Sequence, residues 1–63
     1  MADVILNEEK VFEFYTNSGK RVAVKGQSML TNYSAGDIIV LDSKGTQVAC
    51  FILENIEGWR VAL

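Results

Sequence analysis

The sequence predicts an all-β domain of five antiparallel strands, arranged as a small barrel or as a bent meander. Five segments rich in aromatic and β-branched residues alternate apolar and polar positions or form short apolar runs, which is typical of strands. Glycine-containing turns separate these segments, and the chain has no proline. Strands at such close spacing predict one small β domain over residues 1–63.

The first predicted hairpin joins residues 11–16 to residues 20–25. The intervening residues 17–19 read Asn-Ser-Gly, which suits a type I turn that ends in a left-handed residue, a conformation that glycine adopts without steric cost. Alternation places Phe12 and Phe14 on one face of the first strand. That face is predicted to contribute to the core.

The second predicted hairpin joins residues 37–41 to residues 46–53 through a turn at 42–45. This turn begins with aspartate and ends with glycine, a combination that favours chain reversal. A third turn over residues 54–58 leads to a last strand over residues 59–63, where apolar residues again alternate with other residues.

The N-terminal segment has two interpretations. Asn7 followed by two glutamates could cap a helix over residues 7–12, because acidic residues stabilise the positive end of a helix. The aromatic and β-branched residues that follow favour extended structure. We predict a strand, with a helix or a mobile arm as the alternatives for residues 1–10.

The short chain and its long apolar runs predict self-association. A domain near 63 residues buries only about 60% of the surface that its unfolded chain exposes. Residues 38–41 and 48–53 are apolar at consecutive positions, which indicates strands covered on both faces. A single sheet of SH3-like size can cover only one face of these strands. The sequence therefore predicts a homo-oligomer in which a second subunit covers the other face. The alternative is a closed barrel that tolerates outward apolar residues.

Composition excludes several kinds of site. The chain has no histidine and one cysteine, so it has no set of ligands for tetrahedral zinc, and no cofactor is predicted. Cys50 lies in an apolar run and is predicted to be a buried, inert thiol. A net charge of −2 disfavours duplex nucleic acid as a partner. No segment is typical of a signal peptide or a membrane span, which predicts a cytoplasmic protein.

A polar segment supplies the predicted binding site. Residues 26–35 are predicted to form a loop held between two apolar strands, with hydroxyls, amides and backbone N–H groups that suit a phosphate or carboxylate. Trp59 and Arg60 would add a stacking surface and a cation. The candidate ligand-binding residues are Lys25, Gln27, Ser28, Asn32, Tyr33, Ser34, Trp59 and Arg60. Alternatively, Trp59 is the main core aromatic residue and the basic residues of the first hairpin form a solvated face.

Residues 24–51 resemble the signal-peptidase and SOS-repressor serine peptidases. The similar parts are Val-Lys-Gly-Gln-Ser-Met at 24–29, Gly-Asp-Ile-Ile-Val-Leu-Asp at 36–42 and Lys-Gly-Thr-Gln-Val-Ala-Cys-Phe at 44–51. The resemblance implies that Ser28 stands at the position of the nucleophile. It also implies a surface that holds an extended peptide.

The chain departs from this pattern at two positions. Thr31 stands where the family usually has proline, and the late strand carries Arg60 where the family has its lysine base. Arginine does not release its proton in proteins, so only Lys25 or Lys44 could act as the base for Ser28.

These observations give three hypotheses for function. The favoured one is a non-enzymatic, self-associating β module that binds a small anionic ligand or a protein partner, in the manner of a phage-type inhibitor or ligand-sequestering protein. The second is a serine-hydrolase-like domain, inactive for want of a placed base. The third is a structural assembly or decoration protein.

Overall fold

The computed structural model describes residues 4–62 and confirms the all-β prediction. Five strands form one antiparallel sheet, and a single turn of 3-10 helix precedes the last strand. The elements are β1 (Val4–Thr16), β2 (Arg21–Asn32), β3 (Asp37–Leu41), β4 (Gln47–Ile52), the 3-10 turn Leu53–Asn55 and β5 (Ile56–Ala62). The helix proposed as an alternative for residues 7–12 is wrong, because these residues lie within β1. Residues 1–3 and 63 lie outside the described part.

The strand order is β4-β3-β2-β1-β5. Strands β1 to β4 follow one another as a meander, and the 3-10 turn carries the chain back so that β5 pairs with β1. Within residues 4–62 the sheet does not close, so the fold is the bent meander and not the closed barrel. No helix in this part of the chain has the length and apolarity needed to cross a bilayer.

The turns have the conformations that their glycine and aspartate residues predict. Gly19, Gly36 and Gly45 all have positive φ, as turns of this kind require. In the β3–β4 turn, Asp42 Oδ1 accepts hydrogen bonds from the backbone N–H groups of Lys44 and Thr46, each at 2.9 Å. The aspartate thereby fixes the turn that its sequence predicts.

The core lies on one side of the sheet, which we call the inner face. Its buried side chains are Phe12, Phe14, Met29, Ile38 and Val40. The ring of Phe51 on β4 lies 4.5 Å from that of Phe14, measured between centroids. Strands β1 and β4 are not neighbours in the sheet, so this contact shows that the sheet curves around one shared core.

Strand β2 belongs to both halves of the sheet, and Gly26 lies where its pairing with β1 becomes irregular. Its register with β1 shifts between Ile5 and Lys10. A Cβ at Gly26 would overlap Val40 Cγ1 and would lie 3.0 Å from the carbonyl oxygen of Leu41. Only glycine allows this close approach of strands without displacement.

The loop predicted over residues 26–35 is wrong. Strand β2 continues to Asn32, and only residues 33–36 form the turn. Met29, in the middle of the segment, is 2% exposed and belongs to the core. The polar residues around it are strand residues whose apolar neighbours face inward, so they do not indicate a loop.

Candidate functional site

The structure disperses the eight residues of the predicted ligand site. Gln27 and Ser28 lie in β2 next to the β3–β4 turn, whereas Asn32 ends β2 and is followed by Tyr33 and Ser34 in the β2–β3 turn. The other three lie on the remaining half of the sheet: Lys25 on β2, and Trp59 and Arg60 on β5. These residues occupy three separate regions and form no single pocket.

Ser28 lines a shallow groove of about 300 Å³ beside the β3–β4 turn. The groove is lined by Ile5, Gln27, Ser28, Asp42, Ser43 and Gly45. Gln27 Nε2 donates to the Leu6 carbonyl at 3.1 Å, which ties β2 to the irregular part of β1. Among residues 4–62 no lysine side chain is hydrogen-bonded to Ser28.

The same region carries negative charge. Glu9 Oε2 accepts the backbone N–H of Ser43 at 2.9 Å, and this hydrogen bond lowers the pKa of Glu9. A carboxylate that accepts a backbone N–H stays ionised more readily. Glu9 and Asp42 therefore disfavour an anion in the groove beside Ser28.

Trp59 borders the core on the inner face. It pairs with Phe14 across β1 and β5, and its ring centroid lies 6.3 Å from that of Phe12. Its side chain is 41% exposed, whereas Phe12 and Phe14 are fully buried. The alternative in which Trp59 is the main core aromatic residue is therefore wrong.

Arg60 lies on the opposite side of β5, within an ion-paired cluster. Arg60 Nε donates to Glu13 Oε1, Arg21 Nη1 lies 3.4 Å from Glu13 Oε2, and the Tyr15 hydroxyl donates to Oε1 at 3.3 Å. Glu13 is only 7% exposed although it carries a charge. Its two oxygens are partnered from both neighbouring strands, as a buried carboxylate requires.

These contacts lower the pKa of Glu13. The largest cause is the hydrogen bond from Arg60, and the positive charges of Arg60 and Arg21 act in the same direction against desolvation. The same pairing raises the pKa of Arg60. We call this outer surface, formed by Val11, Glu13, Tyr15, Arg21, Lys25 and Arg60, the charged face.

The outer surface of the other half of the sheet is apolar. Directly opposed residues of neighbouring strands share a face, and one such row across β2, β3 and β4 is Leu30, Ile39 and Cys50. We call the surface formed by Ile5, Leu30, Ile39, Leu41, Val48, Cys50 and Ile52 the apolar face.

Several residues of the apolar face are exposed to solvent. Ile5 is 74% exposed, Ile52 is 58% exposed and Val48 is 45% exposed. Cys50 is also exposed, so the prediction of a buried thiol is wrong. Alternate residues of the apolar run in β4 lie on opposite faces of the sheet. Nothing within residues 4–62 covers the outer face of this strand.

Sequence reasoning missed Glu13, Arg21 and the apolar face as a unit. The signal for Glu13 was a lone acidic residue between two phenylalanines, but its arginine partners are 8 and 47 positions away in the chain. Only the strand order brings them together.

Comparison with known proteins adds no relative to this description. No protein-family model matches the chain, and no curated protein or solved structure shows significant similarity to it.

Proposed function

We propose that this chain is a non-enzymatic, self-associating β module and that its binding surface is the apolar face. A second copy of the chain is the proposed occupant. The observation that carries the proposal is the row of Leu30, Ile39 and Cys50 on an outer surface that the described chain leaves uncovered.

The apolar area provides the driving force. Full burial of a valine or isoleucine side chain contributes about 1.5–3 kcal/mol, and Ile5, Val48 and Ile52 keep a large part of their surface in water. Several such residues close together mark an interaction surface more often than isolated ones do. Association would remove this surface from water.

Charge favours a second copy as the occupant. The seven residues that define the apolar face carry no charge. Asp37 lies on the same side at one end of the face, opposite Ile52, so two copies meet without like-charge contact when they pack over Leu30, Ile39 and Cys50, away from Asp37. The charged face, by contrast, would bring Arg21, Lys25 and Arg60 against their equivalents, which is unfavourable. Self-association is therefore proposed through the apolar face.

The geometry gives less support to the other hypotheses. A small-anion site would need the eight candidate residues to converge, and Arg60 is already engaged by Glu13. A hydrolase would need a base at Ser28. These two readings, the phage-type inhibitor and the decoration protein stay predictions from sequence.

Sedimentation equilibrium from micromolar to millimolar protein tests the proposal. The weight-average mass should rise from 7.0 kDa with concentration. Val48→Lys should weaken association by about tenfold or more, since desolvating a lysine opposes burial. Val11→Lys is the matched control: Val11 is 36% exposed on the charged face, and its replacement should leave association unchanged.

A monomer at every concentration would refute the proposal, and so would equal effects of the two substitutions. Each variant should first show the same circular dichroism spectrum and unfolding transition as the parent chain, so that a loss of association is not a loss of fold.

A further inference from the structure

Strand β4 is an open sheet edge whose residues 49–52 pair regularly with β3, and its one irregularity is a register shift at its start, between Gln47 and Ala49. Within residues 4–62 it is hydrogen-bonded to β3 alone. Its sequence, Gln-Val-Ala-Cys-Phe-Ile, contains no charge and no proline. Natural edge strands are commonly protected by such residues, and β5, the other edge, carries Glu57 and Arg60. The β4 edge borders the apolar face.

The hydrogen-bond pattern shows which backbone groups β4 offers. Leu53 N donates to the Gly36 carbonyl at 2.8 Å, one step beyond the pair Ile52–Asp37. In an antiparallel ladder hydrogen-bonded pairs alternate with non-hydrogen-bonded pairs, so Ile52 and Cys50 form non-hydrogen-bonded pairs with β3. The N–H and C=O groups of these two residues therefore point to the open edge.

We infer that two copies of the chain pair through β4, antiparallel, about a two-fold axis at Cys50. This inference rests on the proposed function and adds a contact at the border of the apolar face. Edge pairing brings the Val48, Cys50 and Ile52 side chains of the two copies together, whereas Ile5, Leu30 and Ile39 are covered only by packing on the face itself. Cys50 lies opposite the partner's Cys50, and Val48 lies opposite the partner's Ile52. Both pairs bring apolar side chains together on the same outer surface. The outward N–H and C=O groups of Cys50 form reciprocal hydrogen bonds across the axis.

The choice of axis follows from the outward backbone groups of Cys50 and Ile52, because an axis at Ala49 would place Ile52 opposite the partner's Thr46, outside the strand. An axis at Cys50 pairs residues 48–52 with themselves, which uses nearly all of β4 (Gln47–Ile52). An axis at Phe51 would place Val48 opposite the partner's Glu54, which lies in the 3-10 turn and has left the strand. The arrangement about Cys50 makes more ladder hydrogen bonds and joins the apolar faces into one continuous surface.

The size of the contact sets its strength. A six-residue strand is about 20 Å long, so edge pairing buries less than the roughly 800 Å² per partner of a standard stable interface. We expect a dimer that forms and separates rapidly, consistent with a dissociation constant in the micromolar range or above. A covalent trap is therefore the sharpest test.

Cys50 supplies the trap. In a hydrogen-bonded antiparallel pair the Cα atoms lie about 5.5 Å apart, within the range of about 4.4–6.8 Å that a disulfide spans. With oxidised glutathione as oxidant, one Cys50 thiolate attacks the glutathione disulfide and releases one glutathione thiolate. The partner's Cys50 thiolate then attacks the protein sulfur of the mixed disulfide and releases the second. Mass spectrometry of the intact protein reads the product.

The full chain should form the Cys50 disulfide dimer about tenfold faster than a variant that carries its only cysteine on the charged face, V11C/C50S, because pairing raises the effective thiol concentration. The register is tested by mixing V48C/C50S with I52C/C50S. The mixture should form the mixed dimer, and each variant alone should form little.

The outcomes separate this inference from the proposed function. If the parent chain associates in sedimentation but Cys50 reacts no faster than V11C/C50S and the mixture does not cross-link, the β4 arrangement is wrong and association through the apolar face stands. A chain that stays monomeric and cross-links only at the control rate overturns both. Cys50→Ser should keep the association measured by sedimentation, since the disulfide is only the probe.

Discussion

The charged face and the apolar face lie on the outer side of the same sheet, but they differ in how far their side chains are shielded from water. The charged face belongs to three neighbouring strands and the apolar face to four, and β1 and β2 contribute to each. On the charged face, Glu13 is buried because Arg60, Arg21 and Tyr15 satisfy its oxygens. On the apolar face, side chains such as Ile5 and Ile52 remain in water.

The difference shows which side chains of a small sheet can be shielded from water by their own chain. Long arginine side chains lie over the charged face and pair within the chain, so that face needs no partner. The residues of the apolar face are too short to cover one another, and no second layer lies over them within residues 4–62. The proposed function assigns the cover of this face to a second copy of the chain.

Gly26 joins the two halves, and replacing it is expected to have the largest effect. Gly26→Ala should destabilise the fold by about 1–3 kcal/mol, the usual cost of overpacking, because its Cβ would overlap Val40 and crowd the Leu41 carbonyl. Urea denaturation measures the change. Gly58→Ala is the matched control, since a Cβ at Gly58 meets no atom within 4 Å; equal losses for both would show that the cost does not come from close approach at Gly26.

Glu13→Gln should make the stability of the fold less dependent on pH, which tests whether the charged face is held by its ion pairs. The pKa of Glu13 is lowered in the folded chain, so the folded state binds fewer protons at this site than the unfolded state does. The ionised carboxylate therefore stabilises the fold above the ordinary glutamate pKa of about 4.3, and this contribution is lost as pH falls through the lowered value.

The difference in unfolding temperature between parent and Glu13→Gln should be largest near neutral pH and should shrink in acid. It should stay below the effect of Gly26→Ala, because the two arginines are largely exposed and their interactions are screened. Thermal unfolding by circular dichroism across this range measures it. A difference independent of pH would mean that Glu13 contributes through packing instead of charge.

Ile52→Thr should have the smallest effect on the single chain. Ile52 is 58% exposed, and surface substitutions usually change stability by less than about 0.5 kcal/mol. Unfolding is measured at low micromolar protein, where association is weak. A loss above about 1 kcal/mol would contradict the comparison, since it would mean that Ile52 is already buried by its own chain.

Much of the fold could be predicted from local patterns. The turns at residues 17–19 and 42–45 carry their own chemistry, and the alternation around Phe12 and Phe14 identifies the core face. The site was less predictable. The polar residues near Ser28 suggested a loop, but Met29 holds that segment in the sheet, and the burial of Met29 depends on β3 and on the N-terminal part of β1, which local sequence does not specify.

The sequence by itself determined the number of strands, the turns at residues 17–19 and 42–45 and the excess of apolar surface, because each depends on residues close together in the chain. Only the tertiary structure decided which faces are covered. The order β4-β3-β2-β1-β5 brings Arg60 to Glu13 and leaves β4 at an open edge with Cys50 facing solvent. Strand order depends on contacts between residues distant in sequence, and alternation along a strand is the same whichever neighbour it has.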